Sequence, residues 1–200
     1  MKRIALLATL PLVLALGCAK DSAPQPSPSV PTTSNAIAAS PGSPAAAAAA
    51  PAAPTEITVG LPPPDFTSTD QDGKPVHLAD LKGHPVVVYF YPKDETPGCT
   101  KEACSFRDAW VDLQKKGVVI IGISTDSAAS HKAFASNHQL PFTLVSDPDG
   151  AIAAKFGVPV TLGFTKRQSF VIGVDGNVKK IYRSVDVTKH AQEIAQDTAS

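Results

Sequence analysis

The sequence has no excess of either charge and few cysteines. Its 200 residues include 18 basic and 18 acidic side chains, so it lacks the broad positive field that attracts nucleic acid, and it has no acidic or basic tail. A nucleic-acid partner is therefore not expected. Cys99 and Cys104 lack the second pair that a zinc site needs, and His131 and His138 are seven positions apart. A metal site is not expected either.

A run of apolar residues long enough to cross a bilayer is also lacking. The longest early run, Ile4 to Leu16, has thirteen residues, whereas a spanning helix needs about 20. This run follows Lys2 and Arg3 and precedes Gly17 and Cys18, an order typical of an export signal. A small residue before a cysteine at this point resembles the lipobox of bacterial lipoproteins. The resemblance implies an exported protein of the bacterial cell envelope, periplasm-facing and held to a membrane by a lipid on Cys18. An ordinary signal peptide with an incidental cysteine is the alternative.

The chain divides into three parts by composition. Residues 1–18 form the predicted signal. Residues 19–56 are almost entirely Ala, Pro, Ser and Thr, which leaves little apolar surface to bury and predicts a disordered tether. Residues 57–200 alternate short apolar runs with helical patterns, which predicts a single α/β domain.

Within this domain the clearest element is the run VVVYFY, which predicts a buried central strand over Pro85 to Tyr91 that ends at Pro92. The remaining pattern predicts two hairpins, two further single strands and three helices. The strand regions are a hairpin over 66–69 and 75–78, two strands at 118–123 and 142–145, and a hairpin over 168–174 and 177–184. The helices are 127–137, 150–156 and 187–196.

Two cysteines lie close together after the central strand. Thr96-Pro97 suits a helix start, which places Cys99 in the first turn. Helix N-termini favour the thiolate, the nucleophilic form of cysteine. Cys104, about 140° around the helix, faces away from Cys99 and from the apolar stripe of the same helix. That stripe consists of Ala103, Phe106, Trp110 and Leu113.

Five positions on an ideal helix separate Cα atoms by roughly 8 to 9 Å, beyond the reach of about 7 Å for a disulfide. A bridge between Cys99 and Cys104 would therefore require the first turns to unwind. Two small buried residues without chemistry are the alternative that the spacing alone leaves open.

The segment PKDETPGCTKEACSFRDAW resembles the Q-type peroxiredoxins, also called the bacterioferritin comigratory protein group. The family pattern is matched by Pro92, Thr96 and Cys99, and the resemblance continues through IIGISTD and QSFVIG. It implies a thioredoxin-like fold, with a central mixed sheet flanked by helices, and a thiol-dependent peroxidase that needs no metal or organic cofactor. Hydrogen peroxide and organic hydroperoxides are the implied substrates.

The resemblance also implies a role for each matched residue. Cys99 is the peroxidatic cysteine, and Cys104 is the resolving cysteine that forms a disulfide with it. Thr96 orients the peroxide, Pro92 shields the site, and Arg167 supports the thiolate and the polarised O–O bond. A thioredoxin-like reductant would restore both thiols, as in an atypical 2-Cys enzyme, and we expect a monomer.

Two other functions remain as alternatives. A thiol–disulfide oxidoreductase on the same fold would ordinarily carry C-x-x-C, which is absent here. A copper-binding lipoprotein would use the cysteines as metal ligands. Peroxidase activity separates both from the peroxiredoxin hypothesis.

Overall fold

The computed structural model describes residues 56–198. The predicted signal with Cys18, and all of the predicted tether except its last residue, lie outside this range. Within residues 56–198, no helix has both the length and the apolar character needed to cross a membrane.

The fold is built on a mixed sheet of five strands. Nine strands are present in the described part: β1 Thr67–Thr69, β2 Pro75–His77, β3 Val86–Phe90, β4 Val119–Ser124, β5 Thr143–Ser146, β6 Val160–Thr161, β7 Phe164–Thr165, β8 Gln168–Ile172 and β9 Val178–Tyr182. The sheet has the order β5-β4-β3-β8-β9. Strands β3, β4 and β5 are parallel to one another, β8 is antiparallel to β3, and β9 is antiparallel to β8. Two short hairpins, β1–β2 and β6–β7, lie outside this sheet.

Five helices complete the fold of residues 56–198: α1 Pro97–Asp108, α2 Trp110–Lys115, α3 Ala128–His138, α4 Ala151–Lys155 and α5 His190–Asp197. A short 3₁₀ turn spans Leu78–Leu81. Helices α1, α2, α3 and α5 contribute buried side chains to the core on one face of the sheet. Helix α4 contributes to the core on the other face, with Phe66 from the segment before β1.

Strand β3 holds the two cores together. All five of its residues are buried, and successive side chains point to opposite faces because a strand has a period of two. Val88 and Phe90 therefore pack in the core with α4, whereas Val87 and Tyr89 pack in the core with α1. This explains why the run VVVYFY is apolar without alternation.

Tyr89 needs a glycine opposite it. Its cross-strand partner in β4 is Gly122, and a Cβ at that position would lie 2.7 Å from the Tyr89 ring and 2.8 Å from Leu144. The ring of Tyr89 also lies 5.1 Å from that of Phe106 on α1, measured between centroids. The absence of a side chain at Gly122 thus leaves room for the ring that supports the helix carrying Cys99.

The predicted thioredoxin-like α/β fold, with its mixed sheet flanked by helices, is confirmed. Three local features differ from the prediction. The helix that carries both cysteines ends at Asp108, and a separate short helix starts at Trp110. Ala109 between them lies at the margin of the right-handed helical region, with φ −85° and ψ −4°. Helix α5 starts at His190, three residues after the predicted start at Val187. The β6–β7 hairpin occupies a segment for which no strand was predicted.

Candidate active site

Cys99 lies in the first turn of α1, as the Thr96-Pro97 start predicts. Its side chain is buried, with 2% of the residue exposed, and it belongs to the core cluster that contains Tyr89 and Phe106. Both Cys99 and Cys104 are free thiols. The sulfur of Cys99 is therefore placed at the positive end of a helix, at the boundary between the core and the preceding loop.

Arg167 reaches this sulfur from the residue immediately before β8. Its Nη2 lies 3.1 Å from the Cys99 Sγ, and the side chain is 19% exposed. Burial alone would lower the pKa of Arg167, but the nearby Glu102 and Cys99 outweigh burial and raise the pKa. The guanidinium thus remains a full positive charge beside the thiol.

Glu102 is a site residue that sequence reasoning missed. It is fully buried, and its Oε2 accepts a hydrogen bond from Arg167 Nη1. Burial raises the pKa of Glu102 to about 7, against the opposing effect of Arg167. Glu102 lies about 60° around the helix from Cys99, next to the apolar stripe. Its position beside the apolar stripe was the only feature of the sequence that pointed to Glu102.

His190, at the start of α5, was also missed. It is fully buried, and its Nε2 lies 2.9 Å from Ser169 Oγ and 3.8 Å from Glu102 Oε1. Burial, followed by the charge of Arg167, lowers the pKa of His190 to about 4. The imidazole is therefore neutral at neutral pH.

Thr96 stands at the N-cap position of α1, but its side chain does not cap the helix. Its hydroxyl instead donates to the carbonyl of Lys93, at 2.9 Å. Because the hydroxyl hydrogen is engaged, its oxygen is left as an acceptor for a hydrogen-bond donor in the site. This geometry suits the predicted role of Thr96 toward a peroxide O–H.

The loop before α1 is fastened to α3 through Asp94. Its buried carboxylate accepts hydrogen bonds from Tyr91 Oη at 2.8 Å and Ser130 Oγ at 2.7 Å, and lies 2.9 Å from His131 Nδ1. Burial alone would raise the pKa of Asp94, but the contact with His131 and the other hydrogen bonds outweigh burial and lower it. A network of this kind holds the loop in one conformation.

Glu95 makes a second attachment to α3. It has a positive φ of 59°, a conformation that non-glycine residues rarely adopt. Its carboxylate lies 2.8 Å from His138 Nε2 and accepts from Asn137 Nδ2 at 2.9 Å. These two contacts hold the strained residue directly before Thr96.

Pro92 lies between the end of β3 and this loop and is half-buried. The carbonyl of the preceding Tyr91 accepts a hydrogen bond from Thr165 Oγ1 at 2.6 Å. Thr165 lies two residues before Arg167, so this bond ties the loop that contains Pro92 to the segment that delivers the guanidinium.

Cys104 lies further along α1 and is partly exposed. Its neighbour Arg107 pairs with Asp108 at 2.8 Å and donates to the His138 carbonyl at 2.9 Å. The first contact is a surface ion pair, and the second attaches the end of α1 to α3. In the intact helix α1 the side chains of Cys99 and Cys104 project from different faces.

The structure therefore brings Cys99 and Arg167 into contact and places Thr96 and Pro92 in the loop that precedes Cys99. Cys104 is on the same helix but on another face. Residues 56–198 contain no group of three or more His, Cys, Asp or Glu side chains arranged to hold a metal ion.

Comparison with known proteins gives a family match over most of the described residues. The model of the AhpC/TSA family matches residues 59–181. The chain is 46% identical over 170 residues to the chloroplastic peroxiredoxin Q of Sedum lineare, which covers 84% of this chain and 83% of the relative. It is 45% identical over 145 residues to a peroxiredoxin bcp of Coxiella burnetii, covering 69% of this chain and 96% of the relative.

Solved structures agree with these relatives. The peroxidoxin BcpB of Mycobacterium tuberculosis superposes with a TM-score of 0.67 at 36% identity, over 72% of this chain and 97% of that one. The bacterioferritin comigratory protein of Xanthomonas campestris, described for its alkyl peroxide reduction activity, superposes with a TM-score of 0.66 at 32% identity. That match covers 71% of this chain and 98% of the other.

The comparisons correct one prediction. The sequence suggested an exported, lipid-anchored protein of the bacterial cell envelope, but the relatives are a chloroplastic enzyme and a bacterial bcp, and neither name refers to export or to a lipid. The envelope location is therefore wrong. That prediction rested on a short apolar run and one cysteine near the start of the sequence. The signal predicted at residues 1–18, like the role of Cys18, lies outside the described residues.

Proposed function

Because the chain belongs to the AhpC/TSA family and to its peroxiredoxin Q group, and is accordingly a thiol-dependent peroxidase, we propose that Cys99 is its peroxidatic thiol and Cys104 its resolving thiol. The observation that carries this proposal is the contact of 3.1 Å between Arg167 Nη2 and Cys99 Sγ at the start of α1. A permanent cation and a helix N-terminus at one buried sulfur are the surroundings that favour a thiolate.

In the first step the Cys99 thiolate attacks one peroxide oxygen. The S–O bond forms while the O–O bond breaks, so the sulfur is oxidised to a sulfenic acid and the peroxide is reduced to water or an alcohol after it takes up a proton. Arg167 lies where it stabilises the negative charge as it moves from sulfur to the leaving oxygen. The acceptor oxygen of Thr96 orients the peroxide through its O–H, and Pro92 limits the access of water.

In the second step the Cys104 thiol condenses with the Cys99 sulfenic acid, and water leaves as the S–S bond forms. Helix α1 is continuous from Pro97 to Asp108, so its first turns must unwind before the two sulfur atoms meet. The contacts of Asp94 and Arg107 with α3 flank this segment. We expect them to keep the two ends in place while the middle opens.

A thioredoxin-like reductant then returns the disulfide to two thiols by exchange. We propose hydrogen peroxide and organic hydroperoxides as substrates and a monomer as the working form, since both thiols lie on one helix. The family match over residues 59–181 supports a peroxidase domain at 57–200, preceded by the tether proposed for 19–56. The family does not favour the thiol–disulfide oxidoreductase or the copper-binding protein considered above.

Peroxide consumption by three forms of the full chain tests this proposal. With dithiothreitol as reductant, the unchanged chain should turn over repeatedly and Cys99→Ser should consume no peroxide. With thioredoxin as reductant, Cys104→Ser should complete one turnover and then stop. Equal activity of all three forms with thioredoxin would exclude the assignment.

A further inference from the structure

A single guanidinium lies between two acids at the active site. Arg167 donates through Nη2 to the Cys99 sulfur and through Nη1 to Glu102 Oε2. Cys99 and Glu102 are three positions apart on α1, and both are buried. The two groups therefore compete for one positive charge.

The other groups that face Glu102 supply no second positive charge. On α5, the nearest group is His190, which is neutral at neutral pH because burial and Arg167 lower its pKa to about 4. On β3, burial and the nearby Glu102 and Cys99 raise the pKa of Tyr89 well above its ordinary value, so its hydroxyl stays protonated. Within residues 56–198, Arg167 is thus the cation that pairs with Glu102.

Glu102 has too few hydrogen-bond donors around it for a permanently ionised carboxylate. Its second oxygen, Oε1, is buried and has no hydrogen-bond partner among the described residues. The closest candidate, His190 Nε2, is 3.8 Å away and lies against Ser169 Oγ instead. An ionised carboxylate would leave this oxygen without a donor, which is costly in a buried site. A protonated carboxyl group is neutral at this oxygen and so avoids the larger cost of a buried charge without a donor.

The charge count follows from these contacts. With one guanidinium present, a single negative charge makes the site neutral, and a second would be buried without compensation. Two acids that interact at such short range titrate as a coupled pair. The raised pKa of Glu102, about 7, agrees with a group that keeps its proton while a thiolate holds the guanidinium.

We propose that Glu102 is a positioning residue that holds Arg167 against Cys99 and exchanges one negative charge with it during the reaction. While Cys99 is a thiolate, Glu102 is protonated. When the sulfur becomes a neutral sulfenic acid, Glu102 releases its proton and becomes the anion that pairs with Arg167. This inference rests on the proposed role of Cys99.

The atoms and charges of this step balance. Cys99 thiolate, peroxide ROOH and the Glu102 carboxylic acid give Cys99 sulfenic acid, ROH and the Glu102 carboxylate. The S–O bond forms and the O–O bond breaks, the sulfur is oxidised, and the peroxide is reduced. One proton leaves Glu102 and one joins the leaving oxygen, so the site keeps the same net charge. In this proposal the Glu102 proton goes to the solvent and the leaving oxygen takes its proton from the solvent, so no direct transfer between them is required.

Glu102→Gln tests the exchange because glutamine keeps the shape and an acceptor oxygen for Arg167 but stays neutral at every pH. The matched control is Glu193→Gln on α5, where the carboxylate is 42% exposed and lies 4.0 Å from His190 Nδ1. Both changes are made in a full chain with Cys18→Ser and Cys104→Ser, so that Cys99 is the one thiol. Ultraviolet absorbance then follows its thiolate as pH rises.

We expect Glu102→Gln to change the midpoint of this titration by no more than about 0.3 unit, because glutamine copies the protonated carboxyl group that the proposal places beside the thiolate. Glu193→Gln should leave the midpoint in place. A midpoint that falls by about one unit or more in Glu102→Gln would mean that Glu102 is already a carboxylate while Cys99 titrates, and would overturn the inference.

Proton uptake during a single turnover gives a readout that a merely structural role would not change. Near pH 8, one equivalent of hydrogen peroxide is added in weak buffer with an indicator dye. The control chain should take up well under one proton for each Cys99 oxidised, because Glu102 supplies it, whereas Glu102→Gln should take up one. Equal uptake by the two chains would contradict the exchange.

A third measurement needs no change at position 102. The infrared difference spectrum of the chain that retains Glu102 should lose a protonated-carboxyl band when peroxide oxidises Cys99, and a band that persists would overturn the inference. If peroxide fails to oxidise Cys99 in every chain, the proposed function fails instead.

Discussion

The buried Glu102 and His190 should give opposite pH dependences of stability. Burial raises the pKa of Glu102 from 4.5 to about 7, so between these values the folded chain holds a proton that the unfolded chain has lost. Stability therefore falls as pH rises through this range. His190 is the reverse case, because its pKa drops from 6.5 to about 4 in the folded chain. Stability there rises with pH.

The magnitudes follow from the two shifts. Each shift is roughly 2.5 units, and one unit corresponds to about 1.4 kcal/mol, so each group alters the free energy of unfolding by about 3 kcal/mol across its range. Between about pH 4.5 and 6.5 the two effects oppose each other. In that range we therefore expect Glu102 and His190 together to contribute little to the pH dependence of the free energy of unfolding.

Replacing one of the two residues should reveal the pH dependence of stability that the other residue causes. Glu102→Gln should leave the His190 effect, with stability rising by about 3 kcal/mol from pH 4 to 6.5 relative to the double variant with His190→Gln. His190→Gln alone should leave the Glu102 effect, with stability falling by about 3 kcal/mol from pH 4.5 to 7. Both are measured in a Cys99→Ser, Cys104→Ser background, so that no active-site thiol titrates.

Urea unfolding at a series of pH values provides the assay, followed by the fluorescence of Trp110, the one tryptophan of the chain. Glu193→Gln serves as the control for the loss of a partly exposed carboxylate. Slopes of the same sign in the two single variants, or profiles that coincide with the double variant, would refute the account of both buried groups.

Three further predictions concern single contacts. Arg167→Lys replaces a guanidinium that contacts both Cys99 and Glu102 with a single ammonium group. The second-order rate constant for the reaction with hydrogen peroxide should therefore fall by roughly 100-fold. A rate constant within a few-fold of that of the unchanged chain would contradict this. Gly122→Ala places a Cβ 2.7 Å from the Tyr89 ring and should destabilise the fold by about 1 to 3 kcal/mol in urea unfolding, and an unchanged midpoint would argue against that contact. Asp147→Asn removes the charge of the carboxylate that accepts hydrogen bonds from the Ile152 and Ala153 amides at 2.9 and 2.8 Å. About 1 kcal/mol of stability should be lost at neutral pH, and an unchanged midpoint of urea unfolding would contradict this explanation.

The central strand and the position of Cys99 could be predicted from local sequence. The run VVVYFY has no charged side chain that must reach solvent, and Thr96-Pro97 indicates where the next helix begins. These features depend on neighbours within a few residues. For the same reason the unequal surroundings of Cys99 and Cys104 followed from the helical period alone.

Glu102 and His190 could not be found in this way. The burial of Glu102 depends on Arg167, 65 positions away along the chain, and a glutamate near an apolar stripe is ordinarily solvated. His190 is set by its contact with Ser169, 21 positions earlier. Arg167 itself entered the prediction through its family resemblance, because a residue just before a strand has no local pattern that marks it as functional.

The break at Ala109 has a similar origin. Helical periodicity continues through Trp110 and Leu113, and of the predicted stripe Ala103, Phe106 and Leu113 are buried. Trp110 is only partly buried and lies 6.1 Å from the Phe142 ring between centroids. Contacts of this kind between distant segments decide where a helix ends, and periodicity within one segment does not contain them.

The central claim is that Cys99 attacks the peroxide and Cys104 captures the oxidised sulfur. Peptide mass spectrometry after one equivalent of hydrogen peroxide tests it most directly. The unchanged chain should yield a peptide pair or loop joined by a Cys99–Cys104 disulfide, and Cys104→Ser should yield Cys99 as a sulfenic acid that dimedone traps. A dimedone adduct on Cys104, or a disulfide that still involves Cys104 in the Cys99→Ser chain at the same yield, would contradict the account.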